Sequence, residues 1–426
     1  MPDSRFRRPF LLPACGALLL GLLLTACGPG TPEGPLPQAY DPPGAVVTTD
    51  KPITRPHRRT IGVRSAGVYA SNEFAGGRLD DFFRTSDSLY TAVIRPENAP
   101  INNSPWYAFQ LWADRPQTIY VELTYVDGSH RYVPKLSPDG HHWSPIDAAA
   151  YRPDTSAGTA RLRLDVGPDT LWVSAQELLT SDDVDAWTAR LAERPWVTRD
   201  VIGTSRQGRP LYRLTITEAR PATDFVLVIG RQHPPEVTGS LAVQTFLETL
   251  ADDTDLARRF RRRFAVLAVP LVNPDGVDEG HWRHNTGGVD LNRDWLDFNQ
   301  PETRQVRDAF LPLREDPDAT VYFAVDFHST QHDVFYTLDR SLEAFPDGLV
   351  DRWLETIAAR LPTYTVRDEP FGLGSPVSKN WFYETFGATA VTYEVGDEND
   401  RDRIRSVART AAEALMERLL EVPDAS

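Results

Sequence analysis

Cysteine is nearly absent: the 426 residues contain two, Cys15 and Cys27, both within the first 27 positions. Beyond Cys27 the chain can form no disulfide, no thiolate metal site and no cysteine nucleophile, so any metal must be held by His, Asp or Glu. Basic residues are in deficit, with 45 Lys+Arg against 60 Asp+Glu and a formal charge of −15. So acidic a chain repels phosphate backbones, which argues against a nucleic-acid partner. After Leu24 no apolar run reaches the length of a membrane span. Apolar material is plentiful, however: hydrophobic residues make up 41%, including 10 Trp, 14 Tyr and 19 Phe, so wholesale disorder is excluded. The length suits about two domains.

Arg5, Arg7 and Arg8 precede an apolar stretch from Phe10 to Leu24, broken by Pro13 and closed by Leu24-Thr25-Ala26-Cys27-Gly28. This resembles a bacterial lipoprotein signal, in which residues 1–26 are removed and Cys27 carries the lipid. An ordinary secretory signal or a short membrane anchor is the alternative; the short, Pro-broken run disfavours the anchor. Cys15 has too little apolar length ahead of it to serve. Gly28 is not the Asp associated with inner-membrane retention, which favours the outer membrane. Residues 27–59 are crowded with Pro and Gly and read as an extended tether. The expected location is the cell envelope, outside the cytoplasm, with the lipid as anchor.

Residues 60–182 read as a small antiparallel β-sandwich. Thr118 to Val126 alternates apolar and polar residues and runs into Asp127-Gly128, with Arg131-Tyr132-Val133 following, the pattern of a hairpin. Arg161–Val166 and Leu171–Ser174 add short strands, and nothing there clusters like a catalytic site. Residues 183–426 alternate strands with helices, the pattern of an α/β domain with a mainly parallel or mixed sheet and helices on both faces. Its strands are expected at Phe225–Ile229, Phe264–Val269, Val321–Val325 and Thr389–Tyr393. Helices are expected at Leu241–Leu250 and Arg403–Leu420. The run Arg258–Arg263 reads as a solvated helix C-terminus, with contact to anionic lipid as the alternative.

His233-Pro234-Pro235-Glu236 follows the first of these strands and can turn an imidazole and a carboxylate toward one ion, although the spacing alone is weak evidence. The third strand ends in Asp326-Phe327-His328, and the fourth delivers Glu394 to the same edge. Both histidines fall just beyond strand C-termini, where open α/β sheets place ligands. Three N/O ligands with a position left for water is the arrangement of a catalytic zinc site.

These motifs, with Asn273-Pro274-Asp275-Gly276, Gly288-Val289-Asp290-Leu291-Asn292-Arg293 and Thr392-Tyr393-Glu394, occur in the order found in zinc carboxypeptidases of the carboxypeptidase A kind, which residues 183–420 resemble. Asn102-Asn103-Ser104-Pro105-Trp106-Tyr107-Ala108-Phe109 looks like the β-sandwich that precedes the catalytic domain in the cytosolic-carboxypeptidase branch. The resemblance implies one zinc per chain, held by His233, Glu236 and His328. Asp290 would accept a hydrogen bond from His233. Glu394 would take a proton from the attacking water and pass it to the leaving amine. Arg283 would stabilise the oxyanion, and Asn292 and Arg293 would grip the substrate's terminal carboxylate.

Two departures from the family pattern stand out. Pro235 replaces an arginine that many digestive members carry, and the substrate-covering tyrosine falls at Gly372, beside Phe371, unless Tyr364 or Tyr383 substitutes. Lys379 falls at the specificity position, where it would favour acidic side chains such as those of glutamate- or diaminopimelate-containing cell-wall peptides; an exposed loop lysine is the alternative. The expected activity is a metallocarboxypeptidase removing C-terminal residues from peptides outside the cytoplasm. A zinc amidase, deacylase or peptidoglycan-peptide endopeptidase on the same metal framework is the second expectation. A binding protein with an inert catalytic domain is disfavoured by the complete residue set. The oligomeric state is not legible.

Overall fold

The computed structural model describes residues 51–370 and 373–423. The expected signal segment with Cys15 and Cys27, the tether up to residue 50, Phe371 and Gly372 lie outside the described residues. No helix among the described residues is long and apolar enough to cross a membrane.

Eleven strands form the N-terminal part: β1 (Thr60–Val63), β2 (Val68–Ser71), β3 (Asp81–Arg84), β4 (Leu89–Ile94), β5 (Ala108–Ala113), β6 (Gln117–Tyr125), β7 (Lys135–Ser137), β8 (Ser144–Pro145), β9 (Tyr151–Asp154), β10 (Thr159–Val166) and β11 (Leu171–Ser174). They make two sheets, ordered β1-β2-β5-β11-β7-β8 and β3-β4-β6-β10-β9. Alternate residues, such as Ile119, Val121 and Leu123 on β6 and Phe109 and Leu111 on β5, turn into one shared core. The pairing is antiparallel except between β4 and β6, which run parallel.

The hairpin expected after β6 does not form. β6 is flanked by β4 and β10 instead. Residues 131–133 turn toward the C-terminal part: Arg131 Nη2 lies 2.8 Å from Asp397 Oδ2, and Val133 N donates to Glu398 Oε1 at 2.9 Å. The Glu398 carboxylate thus satisfies a backbone N–H, that of Val133, which a ladder would otherwise have used.

Helix α1 (Ser181–Leu191) begins the second part, capped reciprocally by Thr180 and Asp183. An eight-stranded sheet follows, built from β12 (Val197–Thr204), β13 (Pro210–Ile216), β14 (Asp224–Gly230), β15 (Phe264–Val269), β16 (Thr320–Thr330), β17 (Val334–Thr337), β18 (Asp368–Pro370) and β19 (Thr389–Gly396). The order is β12-β13-β15-β14-β16-β19-β17-β18. Its central strands β15, β14, β16 and β19 run parallel. Their middle stretches are apolar because both faces are covered: Val226 and Val228 enter one core, Phe225, Leu227 and Ile229 the other. Helices α2 (Val237–Leu250), α3 (Asp255–Arg261), α7 (Leu349–Arg360) and α9 (Arg401–Leu420) cover the first face. Helices α5 (Pro301–Phe310) and α8 (Ser378–Phe386) cover the second, while α4 (Pro274–Glu279) and α6 (Pro312–Glu315) are short connectors.

The arginine run at the end of α3 is not simply solvated. Arg261 is fully buried, donating to the carbonyls of Leu250 and Asp252, and Arg263 pairs with Asp224 at 2.7 Å. Arg261 thereby ties α3 to the end of α2 and Arg263 ties the following turn to β14, while Arg259 and Arg262 are exposed, as a solvated helix end would have them.

Helix α2 meets the sheet at a point that only glycine allows. A Cβ on Gly239 would lie 2.5 Å from the His328 carbonyl oxygen, and Gly239 N donates to Ser329 Oγ at 2.7 Å. Replacing Gly239 by Ala should therefore cost about 1–3 kcal/mol through overpacking. Denaturant titration checks this, and an unchanged midpoint would contradict the close approach.

Candidate metal centre and cleft

Strand β14 ends at Gly230, and the chain turns through Arg231-Gln232 to His233. Arg231 adopts a left-handed conformation, φ 52°, strained for a residue with a side chain. Its buried guanidinium compensates by donating to Pro234 O at 2.8 Å and Ser240 Oγ at 2.8 Å. Asn273 Nδ2 donates to Gln232 O at 3.0 Å, so the Asn-Pro-Asp-Gly motif props the same loop. Glu236 then occupies the N-cap of α2. The two prolines and the staple from Arg231 leave the imidazole and carboxylate facing one point.

His328 reaches that point from β16. The sequence suggested a position beyond the strand, but β16 continues to Thr330 and pairs His328 with Glu394 of β19 in parallel register. Partners across a parallel ladder project to the same face, so register alone brings the third ligand and the candidate base together.

His233 Nδ1 lies 2.7 Å from Glu236 Oε1, and His328 Nδ1 lies 2.8 Å from Glu236 Oε2. One ligand atom from each of the three falls within 4.8 Å of the others, and all three residues are buried. The far nitrogens face carboxylates: His233 Nε2 to Asp290 Oδ1 at 2.8 Å and His328 Nε2 to Asp326 Oδ2 at 2.7 Å. That arrangement leaves each Nδ1 for a metal and raises its basicity. Burial pushes the Glu236 carboxyl up, but the two imidazoles more than reverse this and hold it below the usual carboxylate range. Glu394 is pushed up to about 7 by burial and by the charge of Glu236. Its Oε2 is buried without a hydrogen-bond partner in the protein, where burial is costly unless something bonds it.

The donor set fits zinc: two imidazoles and a carboxylate, each oriented from behind, with an unpartnered carboxylate oxygen alongside. The profile of the zinc carboxypeptidase family matches residues 184–416, more than half of the chain. The chain belongs to the zinc carboxypeptidase family. It is a metallopeptidase, and the family uses one zinc.

Among relatives of this zinc carboxypeptidase, an uncharacterised protein of Zymomonas mobilis is 24% identical over 76% of this chain and 86% of its own length. Mouse cytosolic carboxypeptidase 6 is 32% identical over 31% of this chain, a match spanning 26% of the mouse protein. Among solved structures, metallocarboxypeptidases from Burkholderia cenocepacia and Pseudomonas aeruginosa superpose with TM-scores of 0.69 and 0.68. They cover 83% of this chain and 98% and 99% of their own, at 19% and 21% identity, so they share its fold.

The cleft of this zinc carboxypeptidase has a volume of about 350 Å³, and His233, Glu236, Arg283, Asn292, Arg293, Lys379 and Glu394 all line it. Arg283 Nε donates to Asp290 Oδ2 at 2.7 Å, so Asp290 holds both the imidazole and the guanidinium. Asn292 Nδ2 sits 3.3 Å from His328 Nε2, and Arg293 Nη1 donates to Asn292 O at 2.7 Å. Lys379 is not an exposed loop residue. It is buried on α8, with Nζ donating to Thr337 O at 2.8 Å, and desolvation lowers its pKa to about 8.

Some cleft residues were missed. Tyr336 on β17 lines the cleft, whereas Tyr364 and Tyr383 pack in or against the cores. Tyr336 carries no motif, so no sequence signal pointed to it. The sandwich, expected to hold nothing catalytic, supplies Asn102, Asn103, Ser104 and Arg131 to the wall. Asn102 to Ser104 were visible only as a likeness to one branch of the family. Arg131 places a guanidinium in a cleft whose own loop has Pro235 before the metal-site Glu236.

Asp290→Asn should weaken zinc binding about 10–100-fold, because the amide cannot fix the His233 tautomer as the carboxylate does. Chelator competition measures this, and unaltered affinity would contradict Asp290 as the orienting group.

Proposed function

We propose that the chain is a carboxypeptidase that removes single C-terminal residues from peptides, prefers acidic ones, and works at the cell envelope on a lipid anchor at Cys27. The observation that carries the activity is the joint placement of Arg283, Asn292, Arg293 and Glu394 around the His233–Glu236–His328 cluster in one cleft. Zinc held there supplies Lewis-acid chemistry, acidifying a water and polarising the scissile carbonyl.

The chain's own groups do the rest. Glu394 holds the attacking water's proton on Oε2 and releases it to the leaving amine. Arg283 uses Nε on Asp290 and offers its terminal nitrogens to the developing oxyanion. Asn292 and Arg293 grip the terminal carboxylate, the contact that makes the enzyme an exopeptidase. Burial of Lys379 beside them supports an acidic side chain in the pocket. The envelope location rests on the sequence pattern from Arg5 to Gly28. The second reading is a zinc amidase, deacylase or peptidoglycan-peptide endopeptidase on the same framework; an endopeptidase would leave Arg293 without a terminal carboxylate to hold.

Glu394→Gln should keep full zinc content yet lose about 10²–10⁴-fold in kcat, and retained activity would overturn the mechanism. Because the base must be ionised, kcat/KM should fall as pH drops through the Glu394 pKa. Product analysis on peptides varied at the C-terminal residue, with chelation and zinc readdition, separates the peptidase from the amidase. Lys379 favours anionic side chains only while protonated, so the preference for terminal Glu or Asp should fade as pH rises through about 8. Lys379→Leu should remove that preference at all pH values, and unchanged selectivity would eliminate Lys379 as its determinant.

A further inference from the structure

Glu97 lies on the sandwich, in the connection between β4 and β5, and is completely buried. Its carboxylate accepts three consecutive backbone N–H groups of the other half: Oε2 from Trp282 at 2.7 Å, Oε1 from Arg283 at 3.0 Å and from His284 at 2.7 Å. Those amides belong to neither helix nor strand, so without this acceptor they would be buried donors with nothing to bond. The next residue, Asn98, adds a contact of 2.6 Å between Oδ1 and His284 Nδ1. Trp282 points its indole into the sandwich core and donates from Nε1 to Trp106 O at 3.1 Å. The Arg283 side chain leaves toward Asp290, which in turn bonds His233. Burial pushes Glu97 up, but His281, His284 and Arg78 outweigh it and keep the carboxyl below its ordinary range.

We propose that Glu97 is a positioning residue for Arg283: the sandwich supplies the anion on which the arginine-bearing turn is built, so that half of the oxyanion machinery rests on the other domain. This rests on the carboxypeptidase reading for the role of Arg283. A purely architectural Glu97 would lower stability without acting through Arg283. A positioning Glu97 has no further effect once Arg283 is gone.

The test uses the full chain with Glu97→Gln, Arg283→Ala and both together. Glu97→Gln keeps the shape but turns an amide N–H toward other N–H donors. It should lower kcat about 10–100-fold and change KM less than about threefold, with zinc content unaltered. Glu97→Asp should recover part of the loss. The double variant should be no slower than Arg283→Ala alone, within about twofold. Amide protons of residues 282–284 should exchange faster in Glu97→Gln, while those of β14 and β16 stay protected. Wild-type kcat in Glu97→Gln, a loss that adds fully to that of Arg283→Ala, or unchanged exchange at 282–284 would each overturn the proposal. If Glu97→Gln does not fold, Glu97→Asp and Asn98→Ala run the same cycle, and additive losses again overturn it. A wild-type chain that releases no C-terminal residue from any peptide would sink the carboxypeptidase reading; the exchange rates at 282–284 would then decide the anchoring by Glu97 separately.

Discussion

Glu236 is a buried carboxylate held between two imidazoles whose far sides face two more carboxylates, Asp290 and Asp326. With Glu394 alongside, that is a dense concentration of negative charge inside a protein, tolerable only where cationic partners compensate it. His233, Glu236 and His328 would hold a divalent cation that completes this balance, and much of the fold is arranged to keep the three ligands fixed. The left-handed Arg231 and the prop from Asn273 hold the loop that carries His233 and Glu236, and the bare Gly239 lets α2 pack against the backbone of His328. The β16–β19 register sets His328 and Glu394 side by side.

The acidity of the whole chain and the chemistry of the cleft differ in sign. Arg131, Arg283, Arg293 and Lys379 line a cleft that also holds two carboxylates, Glu236 and Glu394. On the proposed reading, that local concentration of cations would favour an anionic peptide end within an otherwise acidic protein. The sandwich belongs to this electrostatic design. It reaches the cleft through Arg131, which pairs with Asp397 just after the strand bearing Glu394, and through Glu97 beneath Arg283.

What the sequence made legible was local. His233 and Glu236 stand on one strand-to-helix turn, His328 and Glu394 close to apolar strand ends, and Asp290 to Arg293 within one short motif; such elements declare themselves through apolar runs and spacing. What escaped was long-range. The contact of Glu97 with Arg283 spans 186 positions and that of Arg131 with Asp397 spans 266, and no periodicity encodes either. Residues 131–133 looked like a hairpin arm because strand pattern ignores the distant carboxylates that capture them. Tyr336, on a strand of ordinary composition, could be placed in the cleft only by the sheet order β19-β17-β18. Arg261 and Arg263 looked solvated because their acceptors, carbonyls at the end of α2 and the distant Asp224, are not marked in the local sequence.

The central claim is that the cleft reads a free terminal carboxylate through Asn292 and Arg293 beside the metal site. The most direct measurement compares one peptide, ending in glutamate, as its free acid and as its C-terminal amide, with products followed by mass spectrometry. The account predicts release of a single residue from the acid and none from the amide. Equal hydrolysis of the two, or internal cleavage of either, would contradict it.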